Sequence, residues 1–231
     1  MRKKTRRILV GILLVLIALA AMAGVYVSDY YHAGDTAAAI QKDESIVVKE
    51  QNWLYLKAKS DEIGLIFYPG AKVEYSAYLP LMKNLQEKNI NCFLVKMPGN
   101  LAILGSNRGE QVIEAHPEIQ KWYLGGHSMG GAFASSYASK HSEKISGVIL
   151  LGAYLYGDYP VEQSVTIYGE QDQVLNRSKI TYEENVHVLA GGNHAQFGDY
   201  GEQKGDGTAS ITPEEQWTQT TEWIIEFLRG V

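Results

Sequence analysis

Cysteine is almost missing from this sequence. Cys92 is the only one, which rules out an intramolecular disulfide framework and any multi-cysteine zinc site. Proline is scarce and the 23 glycines are scattered, which excludes a collagen-like or low-complexity chain. No H-E-x-x-H pair of histidines occurs, which disfavours a zinc hydrolase. Asp199, Glu202 and Asp206 do not have the spacing of an EF-hand loop, and neither a metal nor another cofactor is expected. Positive charge is concentrated at one end. Arg2, Lys3, Lys4, Arg6 and Arg7 stand within the first seven residues, so the rest of the chain carries −10 against −5 for the whole. An acidic body has no electrostatic footprint for nucleic acid, and no such partner is expected. What remains is 231 residues, 45% of them hydrophobic and 20% charged, enough for a sizeable core in one or two domains.

The one long apolar run is N-terminal. Ile8 to Val27 carries no charge over 20 residues, and as a helix it spans about 30 Å, the thickness of a bilayer core. Basic residues before it and Asp29 after it place the N-terminus in the cytoplasm and the rest of the chain outside. An uncleaved anchor competes with a secretory signal peptide cleaved after Ala21-Met22-Ala23. The length of the run favours the anchor. A buried core helix is the remaining alternative, disfavoured because the run is apolar all round. A lone cysteine suits an oxidising exterior. Residues 28–44 read as a tether, which divides the chain into 1–27, 28–44 and a domain over 45–231.

Within that domain, periodicity predicts strands at Ser45–Lys49, Trp53–Lys57, Gly64–Tyr68, Asn91–Lys96, Trp122–Gly125, Ile145–Ala153, Val165–Tyr168 and Asn185–Ala190. Helical spacing occupies Tyr75–Glu87, with the helix proper starting near Pro80, and also Gly109–Ala115 and Ala132–His141. A last helix opens with Thr212 as cap, Pro213 in the first turn and Glu215 completing a capping box. Its core face is Trp217, Ile224, Phe227 and Leu228. Strands alternating with helices mean an α/β fold with a mostly parallel sheet, helices on both faces and an antiparallel start.

Chemistry enters at Gly126-His127-Ser128-Met129-Gly130. This is G-x-S-x-G between a predicted strand and a predicted helix, the context of a nucleophile elbow. Serine sits at the apex of a sharp turn, and only glycine fits two residues to either side. The following helix aims its first N–H groups at developing negative charge. Gly131, Ala132, Ala134, Ser135 and Ala138 keep that helix thin against the sheet.

With Phe67-Tyr68-Pro69-Gly70-Ala71, Gly169-Glu170-Gln171-Asp172 and Gly191-Gly192-Asn193-His194 in the same order, residues 45–230 resemble the α/β-hydrolase superfamily. The resemblance is strongest to its small lidless members, the dienelactone-hydrolase-like and family 5 hydrolases. A serine nucleophile needs a base, and the base an orienting carboxylate. Of six histidines, His32 lies in the tether, His116 and His141 at helix ends, His187 within a strand, and His127 beside the serine but pointing away. His194, in a glycine-rich loop after the last strand, is where the family pattern puts the base. The acid has three candidates, Asp172, Glu170 and Asp158. The family pattern matches Asp172, in a loop where the crevice of an open α/β sheet lies. Met129 supplies one oxyanion N–H. By resemblance the other comes from Ala71, with Gly70 and Lys72 as neighbours, because the family's usual His-Gly before it is Pro69-Gly70 here.

The stretch Tyr154–Ser164, 11 residues, is too short for a helical lid, which suits small or surface-presented esters. Tyr154, Tyr156 and Tyr159 are candidate pocket residues, and the glycines of loop 198–210 suggest a mobile flap. The expected function is a membrane-anchored serine hydrolase that cleaves small carboxylic esters or thioesters outside the cytoplasmic membrane. An acyltransferase or peptidase with the same triad, and a non-catalytic tethered binding module, are the alternatives.

Overall fold

A computed structural model describes residues 3–230; Arg2 of the basic cluster falls outside them. The chain forms two compact units that divide between Tyr30 and Tyr31. The first is α1 (Lys3–Ser28). Its segment Leu9–Ser28 has a mean hydropathy of 2.7 and no buried side chain among those described, so it is long and apolar enough for a membrane anchor or a signal sequence. A core helix would instead be buried.

The second unit starts earlier than the suggested tether allows. Tyr31 pairs with Val73 in a parallel bridge, and α2 (Asp35–Lys42) follows at once. Asp199 holds the start of α2. Its Oδ2 accepts the Ala37 N–H at 2.8 Å and its carbonyl accepts the Gly34 N–H at 2.7 Å, partners for donors that a helix start leaves unpaired. Ala37 is fully buried. Residues 31–44 are therefore part of the folded unit. The short apolar spacing of DTAAAIQK gave no periodic signal strong enough to predict a helix.

The sheet has eight strands: β1 (Val47–Lys49), β2 (Trp53–Leu56), β3 (Ile63–Tyr68), β4 (Asn91–Val95), β5 (Lys121–His127), β6 (Gly147–Leu151), β7 (Ser164–Gly169) and β8 (Val186–Leu189). Their spatial order is β1-β2-β4-β3-β5-β6-β7-β8. β1 and β2 are antiparallel, and every pairing from β4 to β8 is parallel. From β3 the chain passes to β4 on one side and β5 on the other, which makes their C-terminal ends the switch point where an open sheet forms its crevice.

Alternation along β3 builds two cores. Leu65 and Phe67 face one layer with Leu81 of α3 (Leu79–Glu87) and Ile224 of α6 (Pro213–Gly230). Ile66 and Tyr68 face the other, with Val112 of α4 (Arg108–Ala115) and Ala134 of α5 (Met129–Ala138). Each fully buried aliphatic side chain stabilises by about 1.5–3 kcal/mol. The predicted capping box is present at α6. The Glu215 N–H donates to Thr212 Oγ1 at 3.2 Å, and the Thr212 N–H to Glu215 Oε2 at 2.8 Å. Trp217, Ile224, Phe227 and Leu228 are buried as its core face. A 3-10 turn over Tyr75–Tyr78 precedes α3, so the helix starts one residue before Pro80, where a missing N–H costs nothing. α5 starts three residues before its periodic signal, because Gly130 and Gly131 carry no apolar mark and are helical for another reason, given below.

Candidate active site

Ser128 stands between β5 and α5 with φ 53° and ψ −124°. A non-glycine residue there carries strain of about 1–3 kcal/mol, retained only where the surroundings enforce it. They do so from three sides. A Cβ on Gly126 would lie 2.5 Å from the Gly130 carbonyl carbon. One on Gly130 would lie 2.3 Å from the Tyr68 and Pro69 carbonyl oxygens. One on Gly131 would lie 2.6 Å from Ala153 Cβ. The glycines thus let the start of α5 press against β5, the loop after β3 and the loop after β6. The Ser128 N–H is fixed by the Leu151 carbonyl at 2.9 Å.

Asp172 follows β7 and His194 follows β8. His194 Nδ1 lies 2.8 Å from Asp172 Oδ2, and both side chains are withdrawn from water, 1% and 0% exposed. Asp172 Oδ1 accepts the N–H groups of Val174 and Leu175 at 2.9 and 2.8 Å. These bonds fix the direction of the carboxylate, so that Asp172 Oδ2 stands ready to accept from a proton on His194 Nδ1. His194 Nε2 has no hydrogen-bond partner among the described residues, so its lone pair is unclaimed. Ser128 and His194 line one cavity of about 300 Å³ together with Met129, Ala153, Val174 and Leu175. Among the described residues, no Asp, Glu, Lys or Arg side chain lines it.

The rival acids lie elsewhere. Glu170 is exposed and its Oε2 accepts the Gly191 N–H at 3.0 Å, and Asp158 is exposed. The other histidines have separate surroundings. His116 bonds Glu118 and Glu50 at 2.9 and 3.2 Å. His141 stacks on Tyr137, and His187 on Trp223. His32 lies 3.6 Å from Glu74.

In the loop after β3, the Gly70 N–H donates to Tyr78 Oη at 3.0 Å and the Lys72 N–H to the Asn100 carbonyl at 2.8 Å. Among the described residues, the N–H groups of Ala71 and Met129 donate to no acceptor. The first belongs to the loop after β3 and the second to the first residue of α5.

Of the three tyrosines, Tyr154 lines the cavity. Tyr156 is exposed, and Tyr159 is buried in the core with its hydroxyl on the Ile145 carbonyl. Loop 198–210 is not the free flap its glycines suggest. The Asp199 N–H bonds the Ala77 carbonyl and the Ser210 N–H the Gly191 carbonyl. Asp206 accepts the Ala195 N–H at 2.8 Å, beside His194. Asp199 and Asp206 are partners of backbone N–H groups, and no metal-binding cluster occurs among the described residues.

One contact near the site escaped the sequence reading. Tyr78 Oη lies 2.8 Å from His127 Nδ1, both side chains fully buried. Burial first, and the neighbouring His194 second, lower the His127 pKa well below the ordinary histidine value. Tyr78 shows in sequence only as one apolar-spaced position of a helix.

The alpha/beta hydrolase family model matches residues 64–218. Comparison with curated proteins gives no match. Among solved structures, the chain is similar to a membrane phospholipase A described as a bacterial virulence factor (TM-score 0.59, 13% identity, 96% of this chain and 99% of that one). It is also similar to Est1E from Butyrivibrio proteoclasticus with ferulic acid bound (0.55, 11%, 79% and 99%). A third is dienelactone hydrolase from Anabaena variabilis (0.51, 14%, 75% and 90%). These likenesses show the fold, and the family match extends over about two thirds of the sequence, from β3 into α6, so this chain belongs to the alpha/beta hydrolase family.

Proposed function

We propose that this chain is a serine hydrolase that cleaves small carboxylic esters or thioesters through an acyl-enzyme. The observation that carries the reading is the buried Asp172–His194 pair, open through His194 to the cavity where Ser128 stands on its strained elbow. In this reading His194 Nε2 takes the proton of Ser128 Oγ as the oxygen attacks the acyl carbonyl. Asp172 stabilises the imidazolium that forms, and the Met129 and Ala71 N–H groups receive the oxyanion. His194 returns the proton to the leaving alcohol or thiol, which departs and leaves the acyl group on Ser128. Water then attacks in the same geometry, giving up its proton to His194, and the released Ser128 recovers it.

The cavity lining supports an uncharged acyl group, because a carboxylate or phosphate beside Ser128 would meet no cation. Its volume of about 300 Å³ is at the small end of ligand sites. The basic cluster ahead of the apolar run Ile8–Val27 and Asp29 after it support an orientation with the catalytic unit outside the cytoplasmic membrane, on an uncleaved anchor.

The test is covalent labelling of the full chain in detergent by a fluorophosphonate probe, read by intact mass beside Ser128→Ala. One adduct on the wild type and none on the variant is expected. A folded wild type that takes no adduct would refute the serine mechanism and leave a tethered binding module.

A further inference from the structure

We propose that Tyr78 and His127 are positioning residues that hold the loop carrying Ala71 in register with Ser128 and His194. The inference rests on the hydrolase reading above.

An oxyanion donor works only if its N–H is aimed before charge develops. The Ala71 peptide is held from both sides, at Gly70 by Tyr78 and at Lys72 by the Asn100 carbonyl. The Tyr78 hydroxyl has one proton to donate and lone pairs to accept with. The Gly70 N–H takes one lone pair, and the proton goes to His127 Nδ1, 2.8 Å away. That bond requires the neutral ring with its proton on Nε2, and burial keeps the ring neutral. His127 is also the last residue of β5, adjacent to Ser128. Its ring lies 4.4 Å from that of His194 and 5.6 Å from that of Phe197. The nucleophile strand, the oxyanion loop and the base are thereby joined through one imidazole. Space is fitted to it as well. A Cβ on Gly70 would lie 2.8 Å from His127 Nδ1 and 3.1 Å from Tyr78 Oη.

A pair that only fills the core would change the folded fraction when broken, not the turnover of each folded molecule. The experiment therefore uses the full chain, with active sites titrated by the fluorophosphonate. Turnover of p-nitrophenyl acetate and inhibition by phenylboronic acid, a tetrahedral mimic, are measured per titrated site. Losing a whole oxyanion donor costs about 10²–10³ in kcat, so a misaimed one in Tyr78→Phe is expected to cost about tenfold. KM should stay within about twofold and boronate affinity fall in parallel with kcat/KM. His127→Leu is expected to behave the same way. His127→Asn, whose Oδ1 takes the place of Nδ1, is expected to keep most of the activity. The His127 pair carries the test alone if Tyr78→Phe fails to fold. Turnover per site and boronate affinity unchanged in both Tyr78→Phe and His127→Leu would overturn the inference while leaving the hydrolase reading intact. A wild type that neither labels nor turns over would sink both.

Discussion

The contact between α5 and the loop after β3 allows a sharp perturbation. Gly130→Ala adds one methyl group, which would lie 2.3 Å from both the Tyr68 and the Pro69 carbonyl oxygens. Ordinary contact begins near 3.4 Å, so about 1.1 Å of separation must be found. Neither acceptor is a flexible side chain. Both are backbone, and Pro69 is two residues from Ala71. The start of α5 cannot retreat easily either, because Gly131 and Gly126 are packed as closely on its other side. The loop after β3 must yield, and the Ala71 N–H moves with it. A misplacement of about 1 Å costs on the order of 10²-fold in rate, near 2.7 kcal/mol of transition-state stabilisation. In the proposed mechanism that N–H receives the charge that develops in the transition state, so the loss should fall on kcat. The assay is steady-state hydrolysis of p-nitrophenyl acetate, normalised to titrated sites, with circular dichroism as the check on folding. A folded Gly130→Ala enzyme with kcat within about twofold of wild type would refute the assignment of the second oxyanion donor to this loop.

Four further outcomes follow from the same geometry. Asp172→Asn keeps the size of the side chain but no longer selects the Nδ1–H tautomer of His194, and kcat should fall about 10⁴-fold at unchanged far-ultraviolet circular dichroism. His127 has its folded pKa lowered, so the unfolded chain takes up its proton first as pH falls. Stability is therefore full above about pH 6.5 and declines below it, by at most about 1.4 kcal/mol per pH unit for this one group. Urea midpoints at pH 7.5 and 5.5 measure this, and His127→Asn should flatten the difference. Cys92 is fully buried and burial raises its thiol pKa, so Ellman's reagent should find no reactive thiol at pH 8 until denaturant is added. Thr212→Ala removes the cap of α6 and should cost about 1 kcal/mol, seen as a lower thermal midpoint.

The sequence carried the strands and the elbow because both leave local marks. Buried parallel strands are short continuous apolar runs, and β3 is GLIFY within one residue of its observed start. The elbow is legible because two backbone segments must touch, and only glycine permits that at positions 126 and 130. Asp172 and His194 were legible as loop residues after β7 and β8, although 22 positions apart, since the sheet itself brings those loops together. What was not legible is what depends on a partner distant in sequence. Ala37 is buried in α2 because Asp199, 162 residues later, holds its N–H, and no local pattern in DTAAAIQK announces that bond. Asp206 stood out in the sequence only as one of three loop acids without EF-hand spacing, yet it accepts the Ala195 N–H beside His194. Asn91 read as the start of a strand, yet its buried amide serves Tyr55, Ala58, Ser60 and Ile63 and so ties down the turn between β2 and β3. Tyr78 and His127 belong to the same class. One was apolar spacing and the other a variable position inside a motif, and their relation exists only where β5 and the turn before α3 meet. A motif reports the atoms that must be small or reactive. The side chains that hold those atoms still come from whatever the fold places beside them, and for Ser128 that neighbour is the imidazole one residue before it.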